Sequence, residues 1–328
     1  MIRLTLRFAS ALTLVALSMP LFQAAAQQTE PVAPAAPAPA GPSPAAAPVF
    51  PKPDPADFTA ASPTKEVVNA FMQANLGFDE DNIWQVQAIL KTPVEGLSKV
   101  VVFIGQKSGK QKPNRFPFYV LPDGKHIIVG EALIAFGEQP FAEYRAQLQK
   151  RADGPYRGAA SKDLELVEFA DFQCPHCKDA EANLEKLAVD FPKARIVFQN
   201  FPLVQHREAT RAAAYGVCVA KLGGSSAFFT FASTVFDGQE GLATTDGATL
   251  TLNSAVTKAG LDLTKIEACV ATPATTATVE ASVKLGLDVN ITSTPTLVIN
   301  GRQILANLPY ETIKQMVLYQ MKLDGLTP

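Results

Sequence analysis

The chain has 328 residues, with 29 Lys and Arg against 31 Asp and Glu and a formal net charge of −2. That balance, with no basic stripe and no acidic tail, excludes a nucleic-acid partner and gives no charge-based pointer to any other. A hydrophobic fraction of 47% is that of a globular protein, and only four cysteines and three histidines are present to carry redox or metal chemistry.

In chain order, "MIRLTLRFASALTLVALSMPLFQAAAQQ" comes first, with Arg3 and Arg7, an apolar run from Phe8 to Met19, and Ala24-Ala25-Ala26. This predicts a cleavable secretory signal over 1–26, because the apolar run, roughly 12 residues, falls short of the about 20 that span a bilayer. Residues 27–61 include "EPVAPAAPAPAGPSPAAAPVFPKPDPADF". Proline fixes φ and removes donors, so this stretch predicts a disordered, extended linker.

The stretch "SPTKEVVNAFMQANLG" predicts a helix capped by Ser62, with Pro63 in its first turn and Gly77 at its end. The runs "IWQVQAIL", "KVVVFIG", "FPFYVLP" and "KHIIVGEALIAF" predict short antiparallel strands between turn signals. Together they make a small α+β domain over 62–138 that holds no cysteine; its one histidine, His126, falls on a strand and is read as structural.

Residues 139–158 predict a connecting helix, "EQPFAEYRAQLQKRADG". A strand in "DLELVEFADF", a helix in "CKDAEANLEKLAVDF" and a strand in "RIVFQNFPL" then form a βαβ unit with parallel strands. From about 206 to 286 the pattern is helical, broken at Gly and Pro. Strand character returns at "TPTLVING", Asn300-Gly301 signals a hairpin turn, and "PYETIKQMVLYQMKL" is a final helix. The expectation for 159–328 is an α/β unit split by a helical insertion.

Cys174 and Cys177 stand two residues apart at the start of a helix, on the same side of its first turn. There the N-terminal sulfur meets unpaired N–H groups and the positive end of the helix dipole. Pro175 suits the first turn, and His176 adds a donor and, when protonated, a charge. These factors lower a thiol from about 8.5 toward about 3.5–7.5. A Cys174 near 4 would favour the reduced form at neutral pH by about 4 kcal/mol, which makes the disulfide about 90 mV more oxidising. Zinc needs about four ligands, usually in two paired clusters, which Cys218, Cys269 and His206 do not provide. Haem attachment needs a histidine where Lys178 stands. A purely structural 174–177 bridge closes too small a loop to stabilise much.

The segment "EFADFQCPHC" resembles the active site of DsbA-like thiol–disulfide oxidoreductases, which have a thioredoxin fold with an inserted helical domain. The resemblance covers about 160–328 and implies a buried acid at Glu168 that moves a proton to or from Cys177. It also implies a cis-proline at Pro295, preceded by Thr294, that docks an extended substrate through backbone hydrogen bonds. A second, structural disulfide between Cys218 and Cys269 is implied as well. The segment "FYVLPDGKHIIVGEALIAFG" is similar to the dimerisation domain of DsbC-like isomerases, which implies homodimerisation through the first domain.

The expected protein is therefore a periplasmic oxidoreductase, reached through the signal peptide, that needs no bound cofactor beyond its cysteine pair. Its expected partners are cysteine-containing secreted proteins and a membrane redox protein. Oxidase is the expected direction. Isomerase or reductase stays open, because Pro175-His176 is typical of the oxidase side and Thr294 of the isomerase side. A chaperone-like binding module with secondary thiols is the reading outside this class.

Overall fold

The computed structural model describes residues 50–327 apart from positions 111 and 131. The expected signal and most of the expected linker lie outside them. Residues 50–61, expected to belong to the disordered linker, are instead docked. Asp54 caps a 3-10 turn at Pro55–Asp57, and Phe58 packs into the first core under the Lys65 ammonium. The N–H groups of Thr59 and Ala60 donate to the Ile89 carbonyl at 2.9 and 3.1 Å. Two aromatic residues in this stretch, Phe50 and Phe58, distinguish it from the Ala-Pro run before it.

The first sheet is an antiparallel meander of β1 (Asn82–Lys91), β2 (Ser98–Gln106), β3 (Asn114–Val120), β4 (His126–Val129) and β5 (Ala132–Ala135), in that order. Gly130, at φ 59°, splits the fourth expected run into β4 and β5. Helix α1 (Lys65–Leu76) covers one face, with Val68, Phe71 and Met72 meeting Val86, Ile89, Val100, Val102, Phe118, Val120 and Ile127. Burying each such side chain contributes about 1.5–3 kcal/mol before ordering costs. Thr64 caps α1, accepting from the Val67 N–H at 3.4 Å. Ser62, the expected cap, is tied to the sheet instead, its carbonyl accepting from Ser98 Oγ at 2.5 Å.

The second sheet runs β10-β9-β7-β8-β6, built from β6 (Tyr156–Gly158), β7 (Glu165–Ala170), β8 (Arg195–Asn200), β9 (Thr296–Ile299) and β10 (Arg302–Leu305). β7 and β8 are parallel, as a βαβ unit requires; β9 runs antiparallel to β7, and β6 to β8. The β9–β10 turn places Asn300 and Gly301 at positive φ, 44° and 93°. Alternation splits the apolar residues cleanly. Leu166, Ile196, Leu297 and Ile299 face α3 (Pro175–Asp190) and α8 (Tyr310–Leu323). Val167, Phe169, Val197 and Val298 face α2 (Ala142–Arg151) and α7 (Pro273–Asp288).

Two expectations change here. The connector holds a strand, β6, as well as a helix; three residues ending in a glycine at φ 87° give no period to read. The insertion is also shorter than expected. Its own core gathers α4 (Ala209–Asp237), α5 (Thr245–Lys258) and α6 (Leu263–Val270), whereas α7 returns to the sheet through Leu285.

Arg302 closes the seam between the two sheets. Its guanidinium is buried among Phe141 and Tyr319, donates to Gln320 Oε1 at 3.0 Å, and donates to the Ala74 and Asn75 carbonyls at the end of α1. A cation there also suits the negative end of the helix dipole. Burial lowers it to about 10, which leaves it charged at neutral pH. Gly77 fits the same seam because a Cβ would lie 2.4 Å from the Tyr319 hydroxyl. Arg302→Ala leaves these carbonyls without their donor and should cost about 2–4 kcal/mol in urea unfolding; a loss below about 0.5 kcal/mol, as at an ordinary surface site, would contradict this role.

Candidate active site

β7 ends at Ala170, and the chain turns through 171–173 into α3. Cys174 is the N-cap in extended backbone, φ −76° and ψ 119°, and Pro175 is the first helical residue. The missing proline N–H would be unpaired there anyway. Both thiols are free. Cys174 keeps 5% exposure and Cys177 none, so an incoming thiolate has access to Cys174 alone.

Cys174 is pulled down from the ordinary thiol range to about 5. The largest cause is the Cys177 thiol, which donates to it; burial opposes, and the Thr294 side chain and the main-chain N–H groups of Cys177 and His176 add to the lowering. The Thr294 carbonyl, 3.6 Å from Cys174 Sγ, can accept only from the protonated thiol. The Thr294 hydroxyl has no hydrogen-bond partner in the dithiol, so the lowering rests first on the Cys177 thiol, which together with the main-chain donors outweighs the carbonyl. His176 acts here through its backbone. Its ring is exposed, with Nδ1 3.8 Å from Asp179 Oδ2.

Cys177 moves the opposite way, pushed far up by burial first, then by its bond to Cys174, with Glu168 adding to the rise. Glu168 is 1% exposed on β7, and its Oε1 has no partner. Burial holds its carboxyl well above the usual range, Glu181 raises it further, and Arg157 opposes. Arg157 itself is paired with Glu181 at 2.7 Å.

The Thr294–Pro295 peptide is cis and leads directly into β9. The structure thus brings Cys174, Cys177, Pro175, His176, Glu168, Thr294 and Pro295 to one end of β7. Cys218 and Cys269 are joined at S–S 2.08 Å, tying α4 to α6 across a separation of 51 residues. A loop of that size stabilises by about 4 kcal/mol on chain entropy.

Two glutamines and an aspartate join the site without having been expected. Gln239 Nε2 donates to the carbonyls of Phe172 and Cys174, at 2.8 and 3.0 Å. Gln173 reaches back to Leu242 O and the Glu208 N–H. These bonds hold the active-site turn against the insertion. Asp171, 1% exposed, anchors the turn from the other side. Only Asp171 carried a signal, as a second acid, three residues after Glu168, inside the otherwise apolar "EFADF".

A family model described as thioredoxin matches residues 150–318, more than half of the chain. Similar solved structures include a thioredoxin-like oxidoreductase from Silicibacter pomeroyi DSS-3 (21% identity, 54% of this chain, 98% of that one, TM-score 0.46). Others are alpha-DsbA2 from Wolbachia pipientis (19%, 56%, 96%, 0.46) and DsbA2 from Pseudomonas aeruginosa (25%, 51%, 93%, 0.43). A curated relative, a Na(+)/H(+) antiporter NhaA 3 from Salinispora tropica, is 37% identical over 68 residues, 20% of this chain. The chain spans about a tenth of the length of the curated relatives it matches, 10% and 7%. With the family match laid over a two-thiol centre at the head of α3, the protein belongs to the thioredoxin family.

Proposed function

We propose that the protein donates its Cys174–Cys177 disulfide to cysteine-containing proteins outside the cytoplasm, in the periplasm, and is re-oxidised there by a membrane redox partner. The observation that carries this reading is the low Cys174 thiol, at about 5, beside a Cys177 that stays protonated. At pH 7 this favours the reduced form by about 2.7 kcal/mol, so the disulfide is about 60 mV more oxidising than one with an ordinary thiol. The effect has the expected sign but is smaller than a thiol near 4 would give.

A substrate thiolate attacks Cys174, Cys177 leaves, and a second substrate thiolate then releases Cys174 as a good leaving group. Glu168, buried and with its carboxyl held well above the usual range, is suited to pass a proton to Cys177. Thr294 and Pro295 present a backbone edge to the substrate, and the cysteine pair carries the electrons without a further cofactor. Among the described residues no helix is long and apolar enough to cross a membrane. Residues 1–26 are the proposed export signal, and the first sheet is the proposed homodimer surface.

The test mixes oxidised protein with a reduced, unfolded polypeptide carrying two cysteines. One disulfide should pass per protein molecule, with equilibrium on the side of the oxidised substrate. If the reduced protein instead opens substrate disulfides at equilibrium, the isomerase or reductase direction replaces this one.

A further inference from the structure

We propose that Asp171 is a positioning residue for the leaving sulfur: its main-chain N–H holds Cys177 as the disulfide opens, and its own carboxylate locks that N–H in place. The inference rests on the thiol–disulfide reading above and assigns a residue to one of its steps.

When a substrate thiolate attacks Cys174 Sγ, a new S–S bond forms to the substrate and the 174–177 bond breaks. The electron pair stays on Cys177, which becomes a thiolate and then takes up one proton. That charge appears at a side chain with no exposed surface, so water cannot stabilise it. The Asp171 N–H donates to Cys177 Sγ at 3.4 Å. Among the groups that act most strongly on this sulfur it is the one that favours the thiolate, whereas burial, Glu168 and the Cys174 sulfur oppose it. A preorganised N–H aimed where charge develops assists an anion in the same way as an oxyanion-hole donor.

The donor is fixed from both sides. One carboxylate oxygen of Asp171 accepts the Gln173 N–H at 2.7 Å, from the turn before Cys174. The other accepts the Leu203 N–H at 2.8 Å and meets His206 Nδ1 at 2.7 Å, both from the segment after β8. The carboxylate is fully buried and His206 is 21% exposed. Asparagine would offer one acceptor oxygen to these partners and turn an NH2 toward the others.

Because a thiolate on Cys177 is transient in both directions, loss of the positioning role lowers both rates and leaves the equilibrium nearly unchanged. The test follows reduction of the oxidised protein by dithiothreitol, and re-oxidation of the dithiol by oxidised dithiothreitol, in rapid mixing. In Asp171→Asn both rates should fall about tenfold, while the glutathione equilibrium stays within about twofold and the Cys174 titration does not move. His206→Gln should slow both rates about threefold. Folded variants reacting at the wild-type rate would overturn the proposal. So would a slowing in one direction with a matching shift in equilibrium, which is what a stability effect on one redox form produces. If Asp171→Asn does not fold, His206→Gln decides by the same readings. A wild-type protein inert to dithiothreitol would instead sink the thiol–disulfide reading itself.

Discussion

Cys177→Ala should stall with substrates covalently attached to Cys174, and its multiple-turnover exchange should drop on the order of 10⁴-fold, the scale of losing one member of a catalytic pair. The asymmetry is geometric. Cys174 is the sulfur with residual exposure, and Cys177 is sealed behind it. Removing Cys177 therefore leaves a nucleophile with no internal thiol to resolve the mixed disulfide. Cys174→Ala should lose turnover equally but trap nothing, because an incoming disulfide cannot reach position 177. Gel separation without reductant, followed by mass spectrometry of the adducts, distinguishes the two. Equal trapping by both variants would mean that either sulfur can be attacked, and the assignment of nucleophile and resolver would be wrong.

The reduced protein should gain stability over the oxidised protein as pH rises from 4 to 7. Cys174 has a folded value of about 5, below the about 8.5 of an unfolded chain. A depressed acid contributes stability that is full above the unfolded value and is lost as pH falls through the folded one. At pH 7 the term is about 2.7 kcal/mol, and almost all of it is gone by pH 4. The oxidised form has no thiol at this position and lacks the term. Cys177 stays protonated in the folded dithiol across this window and so does not reverse the sign, and the buried Glu168 carboxyl is present in both forms, so its own term largely drops out of their difference. For a chain of this size the melting-temperature gap between the two forms should widen by about 4–5 °C from pH 4 to 7. A gap that does not change with pH would mean that Cys174 is not ionised in the folded dithiol.

Much of this site was legible from local sequence because its parts are local. Four consecutive residues, Cys174 to Cys177, specify the turn, the proline at the helix start and the spacing of the two sulfurs. The Thr294–Pro295 pair marked the facing segment, and Asn300-Gly301 marked the hairpin. The depth of Glu168 could be inferred only from the resemblance, since an acid in a strand reads equally well as solvated. What stayed hidden depends on long-range pairing. Gln239 reaches the turn from 65 residues away, and Arg302 reaches Ala74 from 228. No periodicity encodes such partners. β6 was missed because three residues pairing with an edge cannot show an alternation. Residues 50–61 were misplaced because proline content describes how the backbone can bend, whereas their docking comes from Phe58 and from the open edge of β1.

The most direct test is to titrate Cys174 in the reduced protein by its thiolate ultraviolet absorbance, in parallel with Cys177→Ala. The wild type should show one transition near pH 5, and the variant should titrate higher, because the Cys177 thiol is the largest contributor to the lowering. A wild-type transition near the ordinary thiol value of about 8.5, unchanged in the variant, would contradict a thiolate held ready at neutral pH.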